Sequence, residues 1–293
     1  MKQNIDVSII VLSYNTKDLL LACLSSIEKA QTKDDNWEVI VVDNASTDGS
    51  VEEVQNSKLK IQNLRIIQNN KNLGFAAGNN LGIGQAKGTY ILLLNSDTEV
   101  TAEAIRDTKN FLDGHPDAGA ATCKILLPDG SMDPACHRGF PTPWASITYM
   151  TGLESLFPHS KVFGTYHLGF KSIANPHEID SPSGAFFMVR RTVIERVGLL
   201  DEDYFMYGED LDWAYRMKQA GFSIWFYPFA TILHRKKQSG RVSDDVHLQK
   251  VTNRYFYETM RLFYKKHFQH SYPFFISWMV NSVLSAKLFL LKL

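Results

Sequence analysis

The strongest constraint on this chain is an alternation between Val7 and Leu112. Four short apolar runs take turns there with segments of helical spacing. VSIIVLSYN (Val7 to Asn15) and WEVIVVDNAS (Trp37 to Ser46) are rich in β-branched residues, as expected of strands buried on both faces. LRIIQNN and TYILLLNSD supply a third and a fourth strand. The helical segments are TKDLLLACLSSIEKA, then STDGSVEEVQ with Ser46 or Asp48 as its cap, then the Gly/Ala-rich LGFAAGNNLGIGQA, then TAEAIRDTKNFL. Such alternation predicts right-handed βαβ units, and therefore an α/β fold with a mainly parallel central sheet flanked by helices.

Open sheets of this kind bind ligands beyond the carboxyl ends of their strands. Those ends read Ser13-Tyr14-Asn15, Asp43-Asn44-Ala45-Ser46, Gln68-Asn69-Asn70 and Asn95-Ser96-Asp97. One polar strand end is a turn, since Asn, Ser and Asp bond local backbone. Four on one edge predict a binding crevice. A P-loop is excluded, because GxxxxGK[ST] is absent. The first strand runs into SYNTKD, which has no glycine, so a GxGxxG dinucleotide fingerprint is excluded as well. Gly74, Gly78, Gly82, Gly84 and Gly88 read more simply as helix packing. A bound diphosphate would then need another neutraliser, and a divalent cation (Mn²⁺ or Mg²⁺) held by Asp97 is one solution.

After Ala118 the alternation breaks. AGAATCKILLPDGSMD reads as a strand and hairpin, and residues 131–180 carry Pro, His and aromatics with no clean period. A long irregular segment of this sort is expected to face substrate. SGAFFMVRR resumes a strand, TVIERVG a short helix, YGEDLDWAYRMKQAG a helix ended by Gly221, and FSIWFYPFATILHR one or two strands. A long helix follows over VHLQKVTNRYFYETMRLFYKKHF. On a wheel of the GEDLDW helix, Glu209, Asp212, Arg216 and Gln219 share a polar face, and Asp210 falls beside Trp213, Ala214 and Met217. A carboxylate on an apolar side needs a partner or a job, and burial would raise its pKa toward that of a general base. The other reading has these acids merely cap the helix. His234 ends the apolar run TILH, where an imidazole is either structural or a metal ligand sharing a cation with a carboxylate.

Lys plus Arg balance Asp plus Glu at 31 each, so nucleic acid is not an expected partner. The three cysteines, Cys23, Cys123 and Cys136, form no CxxC pair, which reads as a reduced compartment without a zinc site. No signal peptide is read at the N-terminus, so a cytoplasmic location is expected. YPFFISWMVNSVLSAKLFLLKL (Tyr272 to Leu293) is apolar but interrupted by Asn281, Ser282, Ser285 and Lys287. It is marginal for a spanning helix. Contact with the inner face of the membrane is one reading, and packing on the protein's own core or a partner is the other.

The pieces VSIIVLSYN, VVDNASTDGS, NKNLGFAAGNN, LLLNSDTEV, SGAFFMVRR, FMYGEDLDWAYRMKQAGF and HRKKQSG, in this order and spacing, resemble the family 2 glycosyltransferases of GT-A fold, and the rhamnosyltransferase-like branch in particular. CHRGFPTPW (Cys136 to Trp144) is similar to a segment of that branch. The resemblance spans about Val7 to Gly240. It implies a GT-A domain over 1–240, with a nucleotide-sugar half to 115 and an acceptor half from 116, followed by a helical apolar extension over 241–293. It implies that Ser13, Tyr14 and Asn15 wall the base pocket, that Asp43 contacts the nucleoside, and that Asn72, Gly74, Phe75 and Asn79 line the sugar-donor side. Asn95-Ser96-Asp97 takes the place of the DxD motif, with Asn for the first Asp and one formal charge fewer. Asp97 would remain the metal carboxylate, and His234 matches a position that ligates metal in related enzymes. Glu209-Asp210 matches the ED motif, with Asp210 as general base. The activity implied is inverting transfer of a sugar to a hydroxyl of a saccharide or lipid-linked saccharide in bacterial cell-surface polysaccharide synthesis. The branch points to dTDP-L-rhamnose, with UDP-hexoses as the competing donors and a non-catalytic sugar-binding protein as the remaining alternative. Two other classes lack their signals: a nucleotidyltransferase would carry a Gly-rich basic loop after the first strand, and a processive synthase several spanning helices and QxxRW.

Overall fold

The computed structural model describes residues 5–235 and 246–291. The HRKKQSG piece lies outside them beyond Arg235, as do the last two residues of the apolar tail. The predicted alternation is present as β1 (Val7–Ser13), α1 (Lys17–Ala30), β2 (Trp37–Asp43), α2 (Ser50–Asn56), β3 (Leu64–Gln68), α3 (Phe75–Gln85) and β4 (Tyr90–Asn95). β5 (Thr98–Val100), α4 (Ala102–Asp113) and β6 (Ala118–Leu126) follow. The irregular excursion holds a 3₁₀ turn at Pro134–Cys136, α5 (Pro143–Met150), α6 (Leu153–Leu156) and β7 (His177–Ile179). β8 (Phe186–Arg190), α7 (Arg191–Val197), α8 (Glu209–Gln219) and β9 (Ser223–His234) complete the sheet layer. α9 (Val246–Phe263), a π turn at Tyr264–Phe268 and α10 (Phe274–Leu290) form the C-terminal extension.

One sheet runs β3-β2-β1-β4-β8-β6-β9-β5, with β7 also on β9. Its first four strands are parallel. β8 is antiparallel to β4 and β6, and β5 and β7 are antiparallel to β9, while β6 and β9 are parallel. Parallel neighbours need a crossover, usually helical. The sequence supplies regular crossovers only as far as β4, so the far half is mixed. Strands β1 and β2 are buried on both faces, as their unbroken apolar runs require. α3 lies close over them: a Cβ at Gly78 would stand 2.6 Å from Leu12, and one at Gly82 2.5 Å from Ile10.

Three local readings change. α2 starts at Ser50 behind Gly49 (φ +80°), and Asp48 instead accepts from the backbone of Lys17 and Ser50 at 2.8 and 3.0 Å. FSIWFYPFATILH is one strand, β9, with alternating burial. The first turn of the polar face of α8 is not in water, although Gln219 further along it is exposed. Glu209 and Asp212 are 5% and 1% exposed, because the C-terminal extension packs over that face. Asp212 accepts from Arg216 Nε at 2.7 Å and lies 2.7 Å from His267 Nε2 in the π turn. Such a cover cannot be seen from the helix's own sequence.

α10 folds back on α9 through Arg261 Nη2 to Ser285 Oγ and Tyr264 hydroxyl to Ser277 Oγ, both 2.9 Å. Phe263, Tyr264 and Phe268 join Tyr204 and Leu211 in a small second core. The tail therefore packs on the chain itself with one side. Its other side exposes Phe274, Trp278 and Phe289. Among the described residues, no helix is long and apolar enough to cross a membrane.

Candidate active site

Sheet register brings the polar strand ends together. Ser13 is level with Asp43, Leu12 with Asn95, and Asp43 with Gln68. Ser13 and Ser96 are bridged by Thr16, whose hydroxyl lies 2.9 Å from Ser13 Oγ and 3.0 Å from Ser96 Oγ. Tyr14 is half exposed at the rim. Asn15 adopts φ +52° and clasps the next loop, its backbone N–H donating to Ser46 Oγ and its side-chain Oδ1 accepting from the Thr47 N–H. Asp43 is fully buried: Oδ2 accepts from Ser46 N–H at 3.0 Å, and Oδ1 is buried without a hydrogen-bond partner. A buried acceptor left unpaired costs about 1–3 kcal/mol, and a ligand N–H or O–H would repay it.

The loop before α3 is fixed from two sides. Asn44 Nδ2 donates to Gly74 O at 2.9 Å, and Gly74 N–H donates to Asn72 Oδ1 at 2.9 Å. Gly74 has φ +84°, and a Cβ there would stand 2.4 Å from Phe205 O. Phe75 N–H donates to that same carbonyl at 2.7 Å, and the Phe75 ring packs against Gly184. Asn79 is buried and turned back on its own helix, its amide donating to Phe75 O. Its neighbour Asn80 reaches instead to Leu200 and Glu202.

The pairing of Thr98 with His234 sets Asp97 beside the imidazole. His234 Nε2 lies 3.2 Å from Asp97 Oδ1, and Nδ1 lies 3.1 Å from Asp133 Oδ2, all three residues being buried. Burial opposes charge on this ring, but the two carboxylates outweigh it and raise its pKa to about 9. A carboxylate behind Nδ1 fixes which ring nitrogen faces forward, the usual support of a metal-ligating histidine. Asp97 and His234 fit a divalent cation chemically once the imidazole gives up that proton, which a cation would displace on binding. Among the described residues no cluster of three or more His, Cys, Asp or Glu could hold one, so phosphate oxygens would have to complete the shell.

The second acidic centre opens α8. Asp210 Oδ2 accepts from Arg138 Nη2 at 2.8 Å, and the same nitrogen donates to Pro182 O at 2.7 Å. Asp210 Oδ1 accepts from the Leu211 N–H. Glu209 has a buried, unpartnered Oε2. Burial, followed by the charge of Asp210, raises its pKa to about 8. Of the two adjacent carboxyls, Asp210 is ion-paired to Arg138 and Glu209 is inclined to keep its proton.

Two ties connect the centres. Phe205, which the Gly74–Phe75 loop grips, lies in the turn just before α8. The segment from Asp133 to Arg138 holds His234 at its first residue and Asp210 at its last. Thr16, Asn44, Asp133, Arg138 and Phe205 were not legible as site residues. The signals present were only regional: Arg138 lies in CHRGFPTPW, Asn44 in the polar strand end after Asp43, and Phe205 at the start of FMYGEDLDWAYRMKQAGF.

The model of glycosyl transferase family 2 matches residues 8–198. An N-acetylglucosaminyl-diphospho-decaprenol L-rhamnosyltransferase of Mycobacterium tuberculosis is 28% identical over 212 residues, 69% of this chain and 67% of that protein. The crystal structure of TarS from S. aureus superposes with TM-score 0.59 at 20% identity, covering 88% of this chain and 39% of that one. A mannosyltransferase from Pyrobaculum calidifontis, solved with GDP-Man and Mn²⁺, gives TM-score 0.61 at 17% identity, covering 90% and 64%. The chain therefore spans about two thirds or less of the length of these proteins. With a family match over most of its sheet and structural neighbours of GT-A architecture, this chain belongs to glycosyl transferase family 2.

Proposed function

We propose that the chain transfers a sugar, with inversion, from a nucleoside diphosphate to an acceptor hydroxyl in cell-surface polysaccharide synthesis. The observation that carries this is the joining of Asp97–His234 to Asp210 by one short segment, Asp133 to Arg138. Asp43, with its unpaired buried oxygen, takes a polar hydrogen of the nucleoside. Ser13, Tyr14 and Asn15 wall the base, and Asn72, Gly74, Phe75 and Asn79 shape the sugar side. Asn95, Ser96 and Asp97 face the diphosphate. Asp97 and His234 would hold a divalent cation, which when bound offsets the charge that grows on the leaving diphosphate. Asp210, oriented by Arg138, removes the acceptor proton as the hydroxyl attacks. Glu209 is inclined to keep its proton near neutral pH, so the Glu209-Asp210 pair carries one negative charge and not two. A single base fits a single displacement.

The acceptor is a saccharide or a lipid-linked saccharide, as in the mycobacterial relative's name. The same relative's name favours L-rhamnose as the sugar, and the resemblance to the rhamnosyltransferase-like branch points to dTDP as its carrier. UDP-hexoses compete, because one methyl separates the two pyrimidines and an apolar pocket distinguishes it by only ~1–3 kcal/mol. The test is calorimetry with dTDP-rhamnose and UDP-glucose, with and without Mn²⁺, on wild type and Asp97→Ala, followed by turnover in Asp210→Asn. Metal-dependent binding lost in Asp97→Ala, with binding but no turnover in Asp210→Asn, is expected. Function that survives Asp210→Asn would mark a sugar-binding protein instead.

A further inference from the structure

A groove of about 200 Å³ lies between α5, Tyr166, α9 and α10. Ile147, Tyr149 and Met150 line one side, and Met260 and Val283 the other. Its polar groups are Ser146 and the hydroxyls of its tyrosines, too few to recognise a saccharide. It opens to solvent past Tyr149 and Met150, both half exposed, and past Val283, which is 40% exposed. A partner's helix, about 10 Å across, would lie on a groove of this size with one face only. A single hydrocarbon chain fits it. The inner end is Tyr166, partly buried, whose phenol lies close to the guanidinium of Arg138, the residue that holds Asp210. The groove thus ends one side chain away from the proposed base. The outer side of α10, with Phe274 and Trp278 exposed, extends the apolar surface.

We infer that this groove binds the hydrocarbon tail of a lipid-linked acceptor, an inference that rests on the glycosyltransferase reading. A tail seated there would lead its head group past Tyr166 to Asp210. Acceptors with a tail would then be preferred by direct contact with the protein, and not only by adsorption to a membrane.

The test uses the full chain and n-alkyl monophosphates from hexyl to tetradecyl, each below its micelle concentration, titrated by calorimetry. Burial of each methylene tightens binding roughly fourfold. The expected result is a steady gain in affinity with chain length that stops when the groove is full. Ile147→Trp and Val283→Trp, each checked for an unchanged circular dichroism spectrum, should weaken decyl phosphate at least tenfold and leave nucleotide-sugar binding unchanged. Phe274→Ser on the outer side of α10 should leave decyl phosphate binding unchanged. Affinity independent of chain length, or insensitive to both tryptophans, would overturn the proposal. So would light scattering that shows a dimer broken by both tryptophan variants, which would give the groove to a second copy. Nucleotide-sugar binding without chain binding would refute the groove alone. Chain binding without nucleotide-sugar binding would refute the glycosyltransferase reading.

Discussion

Glu209 offers the sharpest test of the site's electrostatics. Its carboxyl is raised by burial, then by Asp210, from an ordinary 4.5 to about 8. Between those values the folded protein holds a proton that the unfolded chain has released. Stability from this group is therefore fully present below about pH 4.5 and is lost as pH rises through 8. The slope within that window is at most about 1.4 kcal/mol per pH unit. Glu209→Gln keeps the shape and removes the titration. Urea unfolding of wild type and variant from pH 5 to 8.5, taken as a difference, cancels every other titrating group. Relative to wild type, the variant should gain stability steadily as pH rises, by several kcal/mol over the range. Parallel curves would refute the reasoning, because they would mean that Glu209 ionises as easily in the folded protein as in the unfolded chain.

Three further perturbations probe the supports of the site. Asp133→Asn weakens the grip on His234 Nδ1 and should reduce Mn²⁺-dependent nucleotide-sugar affinity by about 10–100-fold in calorimetry, with little change in metal-free binding. Gly74→Ala places a methyl against Phe205 O in a backbone conformation that costs alanine about 1–3 kcal/mol, so nucleotide-sugar affinity should fall about tenfold or more with the fold retained by circular dichroism. Asp212→Ala leaves Arg216 and His267 without their shared carboxylate. Removing one partner from such a buried cluster costs about 3–5 kcal/mol, to be read from urea midpoints at constant slope.

The parallel half of the fold was legible because its strands are short, mostly β-branched or leucine-rich apolar runs that alternate with segments able to form helices. The polar strand ends followed from that topology, and register then placed Ser13, Asp43 and Asn95 on one line. What stayed hidden came from contacts distant in sequence. Asp133 meets His234 across 101 positions, and Arg138 meets Asp210 across 72. Both start in the aperiodic stretch 131–180, where no repeat of two or of 3.6 marks a face. The helical wheel failed at Glu209 and Asp212 for a related reason. It assumes that polar residues turn to water, whereas here the C-terminal extension brings His267 to them.

The asparagine at position 95 takes on a different meaning in this light. Where the family pattern has two aspartates, this chain keeps one, and a cation held by Asp97 and His234 alone would sit in a weakly negative site. Asp133 changes that count. It is fully buried, and its carboxylate abuts the same imidazole from the other side, so two carboxylates and one histidine gather where the sequence showed one of each. In a dry site, charge one ring away still acts strongly, since little water intervenes to screen it. On this argument Asp133→Asn and Asp97→Ala should both lower metal-dependent binding, while Asn95→Asp should change it little, because Asp133 already supplies the missing charge. A large gain in metal affinity from Asn95→Asp would refute that compensation.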